Sequence, residues 1–193
     1  MDHVTLHAPA TAHAPGLLLR PWRADDRDAV LEAYRDPLMR RWLHNRLETG
    51  DDAAQWLEIQ QDGWVTGNRM SFAVLEERQV AAQLVLKRPD PGGPSAEIGY
   101  WTAARARGRG VAGRALETVT AWAFDAFAGE GLDRLEIIHT VGNDASCRVA
   151  EKGGFALSEL LPAGPKWDTE GHRHVRQPSP PYFSSDAGSS ASR

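Results

Sequence analysis

The chain has 193 residues, of which 41% are hydrophobic and 25% charged, a formal net charge of -4 and one cysteine. These values are typical of one globular domain, and they exclude a disulfide framework and a cysteine-rich zinc site. A pI near 6.0 argues against a nucleic-acid partner held by bulk charge. No stretch reaches the ~18 apolar residues of a membrane helix, and no signal-peptide pattern opens the chain, so we expect a cytoplasmic protein.

The two ends of the chain differ in composition from its middle. Residues 1–14 are rich in Ala, Pro and His, and residues 178–193 are rich in Pro and then in Ser, Ala and Gly. We therefore expect both ends to be disordered, with a single domain over residues 15–177. The N-terminal histidines are irregularly spaced, so we interpret them as solvated rather than as a metal-binding tract.

The first part of the domain predicts one strand and three helices. The segment GLLLRPW (16–22) is a short strand that ends at Pro21. One helix is predicted after Asp25, one at PLMRRWLH, and one after Asp51, because acidic residues favour the first turn of a helix.

The rest of the domain predicts six strands and two helices. MSFAVLEE and QVAAQLVLKR alternate with a period of two and form a hairpin around Glu77 and Arg78. AEIGYWT is the next strand, and the glycine-rich stretch RARGRGVAGRAL (105–116) opens a long helix. RLEIIHT, FALSELL and HRHVRQ add strands, and NDASCRVAEKGG is a short helix. This order predicts a mixed α+β or α/β layer protein around one sheet.

Gly108, Gly110 and Gly113 spell G-x-G-x-x-G, the fingerprint of a dinucleotide-binding fold. That fold also needs an acidic residue at the end of the next strand, but RLEIIHT ends in His139 and Thr140. We therefore reject the dinucleotide interpretation. Glycines still let backbone N–H groups converge at the positive end of the following helix, so the loop is predicted to hold phosphate.

Four arginines lie in the same loop, at positions 105, 107, 109 and 114. Planar guanidinium groups bind phosphate oxygens well, so several of them suggest a ligand with more than one phosphate group. The alternative is a solvated basic loop.

Three motifs together resemble the GCN5-related N-acetyltransferases (GNAT), in particular the RimJ/RimL-type branch. They are the strand E-I-G-Y-W, the motif R-x-x-G-x-A at Arg107, Gly110 and Ala112, and N-x-x-S followed by a helix and G-F at Asn143, Ser146, Gly154 and Phe155. The clear resemblance covers about residues 96–160.

The resemblance implies a GNAT-like domain whose central, mostly antiparallel sheet contains a splayed parallel strand pair, with helices on both faces. It implies acetyl-coenzyme A as co-substrate and no metal, with the pyrophosphate on the amides of residues 108–113. The pantetheine arm then pairs with free backbone groups in the splay, as an added strand would. The residues implied to bind this donor are Tyr100, Trp101, Thr102, Arg107, Gly108, Arg109, Gly110, Val111, Ala112, Gly113, Arg114, Asn143 and Ser146.

The resemblance also implies direct attack of a neutral amine on the thioester, which requires a base to remove a proton from the amine. Glu97 is the candidate base, and its alternative role is to orient backbone or to pair with an arginine. His139, Asp168 and Glu170 are the reserves. Ser146 matches the family serine that protonates or steadies the departing thiolate, and its alternative role is a hydrogen bond within its helix.

Two positions depart from the family pattern. Ala150 stands where many members carry a tyrosine, so the acid role falls on Ser146 or on water. The segment H-R-H (172–174) stands where RimJ/RimL-type members often have an acidic residue, so the acceptor contacts are expected to differ. Cys147 has no obvious base partner in the sequence and is interpreted as a packed structural thiol.

The acceptor is an amine whose identity the sequence leaves open. Trp42, Trp56 and Trp64 are predicted to form its wall, which suits a protein N-terminus, an aminoglycoside-like or peptide antibiotic, or a small amine. The predicted protein is a monomeric or homodimeric acyltransferase. Its alternatives are a coenzyme-A-binding regulator, a catalytically silent module, or a transferase for succinyl or other acyl groups.

Overall fold

A computed structural model describes residues 4–43, 45–164 and 168–178 of the chain. Its strands are β1 (Leu6–Ala8), β2 (Leu17–Pro21), β3 (Arg69–Glu76), β4 (Gln79–Lys87), β5 (Ser95–Thr102), β6 (Arg134–Thr140), β7 (Ala156–Leu161) and β8 (Gly171–Arg176). Its α-helices are α1 (Arg27–Arg35), α2 (Pro37–Trp42), α3 (Gly50–Thr66), α4 (Val111–Ala126) and α5 (Asp144–Lys152). The predicted order of elements from β2 onward is confirmed. Within the described ranges, every helix is too short or too polar to cross a bilayer.

The strands of the described residues form one sheet in the order β1-β2-β3-β4-β5-β6-β8-β7. Neighbouring strands are antiparallel, except that β5 and β6 are parallel over a short ladder that ends at Glu97↔Glu136. Because β5 continues to Thr102 and β6 to Thr140, the two strands separate beyond that pair. The predicted mixed α/β class, with its splayed parallel pair, is confirmed.

Both faces of this sheet are covered by helices. One core lies between the sheet and α4 and contains Leu84, Ile98 and Leu116. The other lies against α1, α2 and α3 and contains Val30 and Trp56. Because both faces are covered, β3 and β4 are buried along almost their whole length, rather than on the single face that a period of two predicts.

The predicted β3–β4 hairpin turns at Glu77 and Arg78. Glu76 pairs with Gln79, which leaves a two-residue loop, and φ is 49° at Glu77 and 72° at Arg78. Left-handed angles at both positions define a type I′ turn, whose twist matches that of the flanking strands. Since neither residue is Gly or Asn, the turn carries backbone strain.

The N-terminal segment corrects one sequence-based expectation. Residues 6–8 form β1, which pairs with β2, and Ala8 is buried. Nη2 of Arg114 donates hydrogen bonds to the carbonyl oxygens of Pro9 and Pro15, each at 2.8 Å. The prediction of disorder is therefore wrong for residues 4–14. A three-residue edge strand has too few positions to show a period, so only its partner strand reveals it.

The other expectations about the ends of the chain fall mostly outside the described residues. Residues 1–3 and 179–193 lie outside the described residues, so disorder of the C-terminal tail stays a prediction. The domain boundary near residue 177 also stays a prediction.

Candidate active site

The glycine loop before α4 adopts backbone angles that favour glycine. Gly108 and Gly110 have φ values of 73° and 75°, in the left-handed region where a Cβ is strained. Gly110 is the N-cap of α4, and the first backbone bond of the helix runs from Arg114 N–H to the Gly110 carbonyl oxygen at 3.1 Å. The N–H groups of residues 111–113 precede that bond, so they are the free donors of the helix end.

All four arginines of this loop contact other protein groups. Arg105 donates to the carbonyl oxygen of Val80, and Arg109 lies 2.8 Å from the buried carboxylate of Glu76. Arg114 binds the N-terminal segment, as described above. The Arg109 side chain remains 48% exposed despite this ion pair.

Arg107 connects the loop to the helical layer. Its Nη2 lies 2.6 Å from Oδ1 of Asp36, and its Nε donates to the carbonyl oxygen of Thr102 at 3.1 Å. Asp36 also accepts a hydrogen bond from Met39 N–H at 3.0 Å and so caps α2. The hydrogen bond from Arg107 is the main reason that the pKa of Asp36 lies below its usual value.

A cleft of about 160 Å³ lies beside the end of β5, beyond the part of that strand that pairs with β6. We call it the splay cleft. It is lined by residues of α2, the end of β5, the start of α4 and α5: Leu38, Met39, Trp42, Leu43, Tyr100, Trp101, Thr102, Arg107, Ala112, Asn143, Ala145, Ser146 and Val149. The three sequence motifs are therefore brought to one place.

Asn143 fixes the α5 wall of the splay cleft. It is the N-cap of α5, where its Oδ1 accepts from Ser146 N–H at 3.3 Å. This contact uses the oxygen of the side-chain amide, so the NH₂ group stays available to a ligand.

A second cavity of about 260 Å³ meets the splay cleft. We call it the aromatic cavity. Six residues line both spaces: Trp42, Leu43, Tyr100, Trp101, Asn143 and Ser146. A ligand that fills the splay cleft therefore reaches the edge of the aromatic cavity.

Aromatic rings form one wall of the aromatic cavity. Tyr34 lies edge-on to Trp56 and to Trp101, with centroid distances of 6.0 Å and 6.3 Å. Trp42 also lines the space, so Trp42 and Trp56 lie at the same cavity, and their role as the acceptor wall stays a prediction. No sequence motif marks Tyr34 as a site residue, and the family motif places Trp101 only with the donor.

Trp64 is not part of this wall, so that prediction is wrong. Its side chain is 1% exposed, its Nε1 donates to the carbonyl oxygen of Ser71 at 3.0 Å, and its ring packs against Phe72 at 5.0 Å. Trp56 and Trp64 are eight residues apart on α3, which turns the second side chain about 80° away from the first.

The candidate base Glu97 lines the aromatic cavity and forms an ion pair. Its Oε1 lies 2.6 Å from Nζ of Lys87, and the two side chains are 22% and 34% exposed. Arg69 lines the same wall, and burial lowers its pKa below the usual value. The partner of Glu97 is thus a lysine on the neighbouring strand rather than an arginine.

The three reserve bases differ in position. His139 lines the aromatic cavity, but its Nδ1 lies 3.0 Å from the Thr140 carbonyl oxygen and its Nε2 lies 3.5 Å from Sγ of Cys147. Burial lowers the pKa of His139. Asp168 and Glu170 are exposed and do not line either described cavity.

Ser146 and Tyr100 meet where the two cavities join. The Tyr100 hydroxyl donates to the backbone oxygen of Ser146 at 3.2 Å, and burial raises the pKa of Tyr100 to about 12. Ala150, at the position where the family resemblance implies a tyrosine, is fully buried. The sequence predicts only donor binding for Tyr100, because its approach to α5 is a tertiary contact.

Cys147 has tertiary neighbours that the sequence does not reveal. Its Sγ lies 3.5 Å from Nε2 of His139 and 3.3 Å from Nδ1 of His172. The thiol therefore has two imidazole neighbours, although the sequence offers no obvious partner. Burial raises the pKa of Cys147, which favours the neutral thiol over a free thiolate nucleophile.

A protein-family model matches most of the chain. The model, described as an acetyltransferase (GNAT) domain, matches residues 16–156. The chain belongs to this family. A search of curated proteins finds no match.

Solved structures of other GNAT proteins have the same fold. RimL, a ribosomal L7/L12 alpha-N-protein acetyltransferase in complex with coenzyme A, has a TM-score of 0.76 and 17% identity over 89% of this chain and 97% of its own. Mycobacterium smegmatis RimJ, in complex with a CoA disulfide, has a TM-score of 0.73 and 22% identity over 91% of this chain and 86% of its own. The microcin C7 self-immunity acetyltransferase MccE, in complex with acetyl-CoA and AMP, has a TM-score of 0.72 and 15% identity over 83% of this chain and 92% of its own.

Proposed function

We propose that this GNAT protein binds acetyl-coenzyme A in the splay cleft and transfers the acetyl group to a primary amine in the aromatic cavity. The junction of the two cavities at Tyr100, Trp101 and Ser146 carries this proposal. A thioester at the end of the donor would lie beside an amine in the aromatic cavity, and such alignment supplies much of the rate in a direct transfer. A cytoplasmic location and a monomeric or homodimeric state stay predictions.

The donor would bind mainly through backbone groups. The free N–H groups of residues 111–113 and the left-handed glycines before them suit the pyrophosphate. The pantetheine arm would lie against the unpaired edge of β5 at residues 100–102, with the Asn143 amide as a further donor. Arg109 is the most suitable arginine for the 3′-phosphate, because its contact with Glu76 leaves almost half of its side chain exposed.

The proton transfers would be divided between the two cavities. Glu97 would accept the amine proton, directly or through a water molecule. Ser146 or Tyr100 would give a proton to the departing thiolate, and both groups line the junction. A tyrosine with a pKa of about 12 keeps its proton at neutral pH, so Tyr100 can take the role that Ala150 leaves open.

The acceptor would be the N-terminus of a peptide or protein. The aromatic wall attracts a cationic amine before it is deprotonated, and the Glu97 carboxylate attracts the same charge. Lys87 and Arg69 lie beside Glu97, so they favour an acceptor with carbonyl or acidic groups close to its amine. An N-terminal α-amine meets this condition, since a peptide carbonyl follows it at once.

The donor site is tested by a matched pair of variants at Ala112, which lines the splay cleft at the start of α4. Ala112→Asp adds a carboxylate that the helix end tolerates but that repels phosphate, whereas Ala112→Asn adds almost the same volume without charge. We expect Ala112→Asp to weaken coenzyme A binding at least tenfold more than Ala112→Asn in calorimetry. Equal affinities for the two variants would contradict this placement of the donor.

The reaction is tested by mass spectrometry with a panel of amines. The panel contains short peptides with acidic or basic second residues, their N-acetylated forms as controls, an aminoglycoside and simple amines, each with acetyl- or succinyl-coenzyme A. We expect acetylation of free N-termini and no reaction of blocked peptides. Coenzyme A binding without transfer to any amine would instead identify a silent coenzyme-A-binding module.

A further inference from the structure

Four potential metal ligands meet between β6, α5 and β8. They are His139 of β6, Cys147 of α5, and His172 and His174 of β8, and one ligand atom from each lies within 4.8 Å of the others. His172 and His174 are two residues apart on a strand, so both can point to the same face. We call these residues the His₃Cys cluster.

Distances within the His₃Cys cluster fit a tetrahedral ion. Sγ of Cys147 lies 3.5 Å from Nε2 of His139 and 3.3 Å from Nδ1 of His172. Metal–ligand bonds of about 2.3 Å to sulfur and 2.0 Å to nitrogen, at tetrahedral angles, separate such atoms by roughly 3.5 Å. The sulfur therefore already lies at the spacing of a metal ligand from each of the two nitrogens.

The backbone orients two of the histidines toward the centre of the cluster. Nδ1 of His139 lies 3.0 Å from the Thr140 carbonyl oxygen, and Nδ1 of His174 lies 3.3 Å from the Phe155 carbonyl oxygen. A carbonyl only accepts, so each Nδ1 carries the proton and each Nε2 presents a lone pair. Metal-binding histidines in proteins are held in this way by a hydrogen bond from the second ring nitrogen.

Protein hydrogen bonds alone leave this cluster unsatisfied. His174 is fully buried, and within the described part of the chain its Nε2 has no hydrogen-bond partner. The Cys147 thiol has one proton and faces two imidazole nitrogens, so it can donate to only one of them. A buried acceptor without a donor is costly, whereas a cation accepts all of these lone pairs at once.

We propose that His139, Cys147, His172 and His174 bind one Zn²⁺ ion. Imidazole and thiolate ligands in a tetrahedral arrangement suit zinc, and four protein ligands are typical of a structural rather than a catalytic site. The ion takes the place of the thiol proton, which leaves to solvent when the thiolate binds. This proposal departs from the sequence-based expectation of no metal, which excluded cysteine-rich sites but not a site with three histidines.

The position of the site gives it a structural role. The ion would join β6, α5 and β8, and Cys147 is adjacent in sequence to Ser146 at the junction of the two cavities. Zinc would thus fix the start of α5, which carries the proposed donor contact Asn143. One ligand, His139, also lines the aromatic cavity, so the site is tested by bound metal and by stability rather than by turnover.

The test measures bound metal and thermal stability in the full chain, purified without a histidine tag. After exposure to Zn²⁺ and gel filtration, we expect elemental analysis to give about one ion per wild-type chain. Cys147→Ser and His172→Ala should reduce this to below about one fifth of an ion. His13→Ala is the matched control, since this histidine is exposed and outside the cluster, and it should keep the wild-type value.

Two further readouts separate ligation from misfolding. Saturating Zn²⁺ should raise Tm by about 5 °C or more in the wild type and leave Cys147→Ser unchanged. Co²⁺ should give a thiolate-to-metal charge-transfer band in the wild type that Cys147→Ser lacks, while circular dichroism stays the same. A wild-type chain that retains no ion and shows no Tm shift would overturn the proposal. Variants that bind zinc as the wild type does would overturn it too.

Discussion

Glu97 is oriented by Lys87 on the adjacent strand. Its side chain has two properties that a substitution can separate: it accepts a hydrogen bond from Lys87, and it can accept a proton. The carboxylate accepts a hydrogen bond from Nζ at 2.6 Å, which holds it at the cavity wall. It can also accept a proton, which a glutamine amide cannot do at neutral pH. A substitution that keeps the first property and removes the second therefore tests the proposed chemistry.

We predict that Glu97→Gln lowers kcat by about 10²-fold with little change in donor affinity. Glu136→Gln is the matched control, because Glu136 pairs with Glu97 across the parallel strands but does not line the aromatic cavity. Steady-state kinetics with the preferred peptide measures both variants. Near-normal turnover in Glu97→Gln would contradict this role and assign proton acceptance to water or to another group.

Tyr100 and Ser146 are alternative proton donors to the leaving thiolate, and substitutions at the two residues distinguish them. If the Tyr100 hydroxyl gives the proton, Tyr100→Phe should lower kcat by roughly tenfold to a few hundredfold and leave the KM of the donor almost unchanged. Ser146→Ala should then keep its turnover and lose at most ~1 kcal/mol of stability. Kinetics and thermal unfolding on the same preparations decide between them, and the reverse pattern would assign the acid role to Ser146.

At the scale of elements, consecutive residues of α5 face two different sites, the cavity junction and the His₃Cys cluster. Successive side chains on a helix are about 100° apart, so Ser146 lines the two cavities while Cys147 faces the histidines of β6 and β8. The Asn143 cap fixes where this helix begins. The alternation of β8 places His172 and His174 together, which the sequence could have revealed as H-x-H on one strand face.

The β3–β4 turn offers a prediction for a single element. Glu77 and Arg78 both adopt left-handed angles, which cost roughly 1 kcal/mol or more for an ordinary side chain. We predict that Glu77→Asn with Arg78→Gly raises the free energy of unfolding by about 1 kcal/mol, since Asn-Gly is preferred in type I′ turns. Denaturant unfolding measures the change, and an unaltered or lower stability would show that the turn is not strained.

At the scale of the whole molecule, the sequence predicted the fold well and the interior of the site only in part. Periods of two and of about 3.6 residues located the elements from β2 onward, and three motifs located the splay. The positions of Trp64, Cys147 and residues 6–8 depended on tertiary contacts that no local pattern encodes. The partners of the loop arginines, such as Asp36 for Arg107, are distant in the sequence, so no local pattern could predict them either.

The Asp36–Arg107 ion pair joins parts of the molecule that are 71 positions apart in sequence. Its two side chains are 18% and 30% exposed, so we expect it to contribute about 0.5–1 kcal/mol. Asp36→Asn tests this contribution specifically, because asparagine can still cap α2 but lacks the charge that Arg107 binds. At pH 7 the variant should therefore be less stable than the wild type by that amount.

The pH dependence of this difference follows from the lowered pKa of Asp36. Since the folded-state pKa lies below the usual value of 3.8, the ionised pair stabilises the fold above that value and is lost as pH falls through the folded-state pKa. The stability difference between wild type and Asp36→Asn should thus stay constant from pH 7 to about 5 and shrink below about 4. Denaturant unfolding at several pH values measures it. A difference that persists undiminished at pH 3 would mean that the charge of Asp36 does not hold the loop to the helical layer.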